Sequence, residues 1–166
     1  IGDTAVVKID CKSGERILIA IDIAKSKHDA LIKLPGKKPK KMRFHNRKQG
    51  FDELIKKATS PDIETVASIE ATGDYHRALA AYLKSHGVEV VLVSSVALAR
   101  TREALHNSWD KHDPKDAQVI LYMLENNMIQ YFHDPLFEGN HDFQEISKTY
   151  FQVSMRKIKL GHSIIN

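Results

Sequence analysis

A chain of 166 residues with 42% hydrophobic content can bury one proper core, and no apolar run approaches the roughly 20 residues that a membrane-spanning helix needs. The single cysteine, Cys11, excludes an internal disulfide and a cysteine-rich zinc site, and the nine histidines show no metal-ligand spacing. Twenty-five basic against 21 acidic residues leave a net charge of only +4, so the distribution of charge matters more than its total. A soluble, intracellular protein with no membrane partner is expected.

The first element in chain order is an apolar strand over 16–24. Strand periodicity puts Ile17, Ile19, Ile21 and Ile23 on one face and Leu18, Ala20, Asp22 and Ala24 on the other. Asp22 thus sits among small neighbours inside a buried strand. An unpaired carboxylate there is costly, and a divalent metal ion is the expected partner. Strands follow over 27–34 and 39–45, with Pro35-Gly36 turning one into the other. Between Lys33 and Lys48 lie Lys37, Lys38, Lys40, Lys41, Arg43 and Arg47, with no acidic residue among them. Such a block can neutralise several phosphates, or it can simply guard an edge hairpin against aggregation.

Phe51, Leu54, Ile55 and Ala58 space a helix over 49–58, and a strand over 64–70 ends in Glu70. Ligands of open α/β sheets gather outside the carboxyl ends of parallel strands, which places Glu70 where chemistry is expected. A helix over 74–86 ends at Gly87, a strand covers 88–93, and a helix covers 96–105. The loop over 106–112 carries Trp109, the only tryptophan, which either packs beneath the loop or stacks on nucleic-acid bases. Asp113-Pro114 then opens a helix, with Asp113 as N-cap and Pro114 in the first turn. Three residues on, Asp116 shares a face with Asp113 and leads into the apolar stripe of Ile120, Met123 and Leu124.

The segments Ile21-Asp22-Ile23-Ala24-Lys25, Ile69-Glu70-Ala71-Thr72-Gly73 and Asp113-Pro114-Lys115-Asp116-Ala117 resemble the DEDD transposases of bacterial and archaeal insertion sequences, a group that includes Piv-type DNA invertases. The three motifs come in that family's order from Arg16 onward. The resemblance implies an α/β, ribonuclease H-like (RuvC-like) mixed sheet flanked by helices. Asp22, Glu70, Asp113 and Asp116 are then its catalytic, metal-holding carboxylates, with Mg²⁺, or Mn²⁺, as the cofactor. Two such ions about 3.5–4 Å apart can hold a scissile phosphate. By the same resemblance the activity is metal-dependent DNA cleavage and joining, guided in the whole protein by a structured RNA, in a bacterial or archaeal cytoplasm near the nucleoid. Lys37, Lys38, Lys40, Lys41, Arg43, Lys111 and Lys115 are the expected nucleic-acid contacts.

In the tail, Phe143, Ile146, Tyr150, Val153, Lys157, Leu160 and Ile164 recur at alternating spacings of three and four. The stripe reads as a coiled-coil-type helix over which copies of the chain pair, or as a helix packed on its own core. The expected division is a catalytic domain over 1–140 and the start of a helical linker over 141–166. Because the chain opens at Ile1 and the stripe runs on to Asn166, a longer protein is expected, with a serine nucleophile beyond Asn166.

Two other classes share parts of this pattern. Actin-like and sugar-kinase ATPases also begin with an Ile-Asp-Ile strand and a hairpin, but they need glycine-rich phosphate loops, and the eight glycines here form no such cluster. A non-catalytic module that binds nucleic acid or assembles through its tail helix is the other alternative.

Overall fold

The computed structural model describes residues 15–70, 75–106, 113–132 and 149–157. The chain divides into two compact units, Ile1–Phe132 and His133–Asn166.

The first unit is built on a six-stranded mixed sheet. β1 (Ile17–Asp22), β2 (Lys27–Lys33) and β3 (Lys40–His45) form an antiparallel meander, followed by α1 (Lys48–Ala58), β4 (Thr65–Glu70), α2 (Tyr75–Ser85), β5 (Glu89–Val93), α3 (Ser95–His106), α4 (Asp113–Glu125) and β6 (Gln130–Tyr131). The strand order is β3-β2-β1-β4-β5-β6, with β1, β4 and β5 parallel and β6 antiparallel to β5. This is an α/β mixed sheet flanked by helices, as the sequence predicts. The predicted strands and helices agree with the observed ones to within a residue or two. The short β6 was not predicted, because two exposed residues make no alternating run.

Parallel strands buried on both faces read as continuous apolar runs, as β1 and β4 do here. The alternation in β1 separates two cores. Ile17, Ile19, Ile21 and Ile23 pack with Phe51, Leu54 and Ala58 of α1 and Leu79, Ala80 and Leu83 of α2. Leu18 and Ala20 face the other way, onto Leu98 of α3 and Ala117, Ile120, Met123 and Leu124 of α4. Three layers result, helices on either side of one sheet. Among the described residues no helix is long and apolar enough to cross a membrane.

Two local features fix the turn that follows β1. The Ala24 N–H donates to Nδ1 of His28 at 3.1 Å, and the Asn46 side chain donates to the Lys25 carbonyl at 3.2 Å. His28 is fully buried, edge-on to Phe44 at 5.1 Å and stacked over Phe51 at 6.4 Å. A second tight spot lies where α1 leaves β3. A Cβ at Gly50 would run into the backbone carbonyl of His45, so only glycine lets the helix approach this closely.

In the second unit, residues 149–157 are helical, with Tyr150, Phe151, Val153 and Met155 exposed. Of the predicted heptad seam only Tyr150, Val153 and Lys157 fall within the described residues, and Phe143, Ile146, Leu160 and Ile164 lie outside them.

The acceptor role of Nδ1 requires neutral His28, and burial lowers its pKa below the ordinary 6.5 against smaller opposing contributions from Asn46 and Asp29. The unfolded chain therefore binds this proton first as pH falls, so stability is full above about pH 6.5 and declines below it, until the lowered folded-state pKa is passed. Thermal melts of wild type and His28→Phe between about pH 7.5 and 5.5 should show a shallower acid decline in the variant.

Candidate active site

The sheet ends on an acidic edge because of its register. Ile21 of β1 and Ile69 of β4 are parallel partners, so the next residues, Asp22 and Glu70, close neighbouring strands side by side. Both carboxylates lie on the face that carries Leu18, Ala20, Val66 and Ser68, the face covered by α4. Neighbouring strands are about 4.8 Å apart, so the two acids occupy adjacent positions on that face. Asp22 is half-buried and is the last residue of β1 rather than a mid-strand residue as predicted. The chain leaves the sheet at Ile23 to make the turn into β2, and the acid gains access to solvent.

Asp116 lies in the first turns of α4 and is nearly buried. Its Oδ1 accepts a hydrogen bond from Nε of Arg102 on α3 at 2.7 Å, in an ion pair whose side chains are 12% and 9% exposed. This arginine holds α3 to α4 beside the acidic edge. The helix begins at Asp113, one residue before the Pro114 start that the Asp-Pro pair predicts, and the side chains of Asp113, Pro114 and Lys115 lie outside the described residues, as do Lys111 and Trp109. The structure thus brings Asp22 and Glu70 together and sets Asp116 in the helix above them. Among the described residues no three His, Cys, Asp or Glu side chains form a group able to hold an ion.

Asp29, which sequence reasoning passed over, is the antiparallel partner of Asp22 on the same face. Like charges directly opposite one another destabilise a sheet, and Arg43, the partner of Asp29 in β3, offsets this one. Its Nε and Nη2 donate to the two Asp29 oxygens at 2.7 and 2.9 Å. Arg43, predicted as a nucleic-acid contact, is therefore engaged in this fork. Arg102 and Ser68 were also missed. Helix-to-helix pairing leaves no periodic trace, and one serine in an apolar strand gives no signal of its own.

The basic hairpin is tied to α4 by an ion pair between Lys33 and Glu125, while Lys37, Lys38, Lys40 and Lys41 are exposed. A groove of about 360 Å³ runs between hairpin and helix, lined by Leu31, Lys38, Pro39, Lys41, Gln118, Leu121, Tyr122 and Glu125. β3 is the edge strand of the sheet, a position that lysines also protect from pairing with other chains.

Asp22 and Glu70 thus close neighbouring parallel strands of the mixed sheet, and Asp116 stands on the helix that covers the same face. A family model of DEDD transposases of the IS110 type matches residues 19–155, and the chain belongs to that transposase family. No curated protein matches the chain. Among solved structures, T. thermophilus RuvC in complex with a Holliday junction substrate is similar, with a TM-score of 0.48 and 8% identity over 70% of this chain and 99% of that one.

Removing one partner of a nearly buried ion pair leaves the other charge uncompensated, at a cost of about 3–5 kcal/mol. Arg102→Ala should lose stability of that order in denaturant melts. The double variant Arg102→Ala/Asp116→Ala should recover much of the loss, which an Arg102 acting only through packing would not allow.

Proposed function

We propose that this chain carries the acidic, metal-dependent part of a DNA strand-transfer site, with Asp22, Glu70, Asp113 and Asp116 as its catalytic carboxylates. The observation that supports this reading best is the register that sets Asp22 beside Glu70, on the face covered by the helix bearing Asp116. The donor set is entirely carboxylate oxygen, which suits Mg²⁺ and accepts Mn²⁺, and the buried Ser68 hydroxyl on the same face has no protein partner. On both counts the residues fit a hydrated divalent ion. Fewer than three converging protein ligands is no obstacle, because Mg²⁺ sites complete their shell with waters and substrate phosphate.

When bound, a divalent ion supplies electrostatic stabilisation of a phosphoryl group at that edge. The chain's own residues do the rest. Asp22 and Glu70 offer acceptor oxygens from rigid strand ends, α4 keeps water from the sheet beneath them, and Arg102 fixes the Asp116 carboxylate. Lys37, Lys38, Lys40 and Lys41 hold DNA backbone phosphates along the hairpin, with Lys111 and Lys115 assigned to the same task. A structured guide RNA and self-association through the C-terminal helix complete the proposal, the latter supported by the exposed Tyr150 and Val153 of the seam.

DNA cleavage and joining by the intact protein tests the reading. Asp22→Ala and Glu70→Gln should each abolish both steps while leaving the melting temperature unchanged or raised, since each relieves repulsion between clustered charges. Full activity in these variants would instead favour the non-catalytic nucleic-acid-binding module. Neutralising Lys37, Lys38, Lys40 and Lys41 together should weaken DNA binding and flatten the slope of log affinity against log salt. An unchanged slope would assign those lysines to edge protection.

A further inference from the structure

Ser68 lies in the middle of β4, fully buried, and its Oγ has no hydrogen-bond partner. Its parallel neighbours are Ala20 in β1 and Val91 in β5, and the helix packed over this face presents Ala117 and Ile120. None of these side chains can accept or donate a hydrogen bond. A hydroxyl buried in that state costs folding free energy, and an alanine would occupy the same space without the cost. The core therefore gives no reason for a serine here.

The position of the residue supplies one. Glu70 follows Ser68 by two residues in β4, and Asp22 follows Ala20, the partner of Ser68, by two residues in β1. Both carboxylates thus stand on the same face as the hydroxyl, one pleat further along, about 6.6 Å in strand rise. The helix above carries Asp116 immediately before Ala117. The hydroxyl thus lies one pleat beneath the acidic edge, on the same face.

We propose that Ser68 is a positioning residue of the acidic site, whose Oγ–H donates to the oxygen shell assembled there around a divalent cation. The acceptor is a Glu70 or Asp22 carboxylate oxygen turned inward, or a water of the ion. This inference rests on the functional reading above. Groups that hydrogen-bond metal ligands from behind fix their orientation, and losing one typically weakens metal affinity ~10- to 100-fold. Ser68 is thus a group that disfavours the metal-free fold and favours the loaded one.

The opposite signs of these effects make the test. Mn²⁺ binding, followed by loss of the free-ion electron paramagnetic resonance signal, and metal-free thermal melts are measured for wild type, Ser68→Ala and Glu70→Gln. Ser68→Ala should melt at or above the wild-type temperature yet bind Mn²⁺ at least ~10-fold more weakly. Wild-type Mn²⁺ affinity in Ser68→Ala, with weakened binding in Glu70→Gln, would overturn the role of Ser68 and leave the acidic site standing. A lowered metal-free melting temperature in Ser68→Ala would show that the hydroxyl already serves the fold, and would overturn the proposal as well. Unchanged binding in Glu70→Gln, or no binding by wild type, would remove the acidic-site reading itself.

Discussion

The parallel register of β1 against β4, with Ile21 opposite Ile69, forces Asp22 and Glu70 onto adjacent positions of one face. Two unit charges about 5 Å apart repel by on the order of 3 kcal/mol at an effective dielectric of about 20. The antiparallel pairing of Asp22 with Asp29 adds a third carboxylate to the same row. Such an arrangement persists only because the isoleucines beneath it over-determine the register. A slip of one residue would turn Ile17, Ile19 and Ile21 out of the core beneath α1 and α2 and bring Asp22 into it.

Part of the repulsion is offset within the chain, and the way it is offset differs from acid to acid. Asp29 is neutralised by a two-bond fork from Arg43, in a partly exposed pair that contributes little stability but holds its geometry. Asp116 is neutralised by Arg102 in a nearly dry contact, where breaking the pair is costly. These two arginines thus tie the flanking acids to β3 and to α3, on either side of the edge that Asp22 and Glu70 close. The His28 contact to the Ala24 backbone adds rigidity at the same edge, since it anchors the turn into which Asp22 leads.

Much of this was legible in the sequence, and the parts that were not share a cause. The split of β1 into an isoleucine face and a face of Leu18, Ala20 and Asp22 follows from a period of two, and the two cores divide along that line. Pro35-Gly36 announced the hairpin, and Gly36 adopts the positive φ of 66° that its turn requires. Asp29 was missed because its importance depends on cross-strand register, which one strand read alone does not reveal. Arg102 was missed because its partner is 14 residues away on another helix. Ser68 became informative only when every neighbour of its hydroxyl proved apolar. The Asp113 side chain and most of the tail seam lie outside the described residues, so for them the motif reading alone supports the proposal.

The most direct test of the account is where a divalent ion sits. Anomalous diffraction from crystals of the protein soaked in manganese chloride would locate it without reliance on activity. The account predicts a peak liganded by oxygens of both Asp22 and Glu70, on the face beneath α4. Manganese bound elsewhere with these two carboxylates unliganded, or no peak at that edge at saturating manganese, would contradict it.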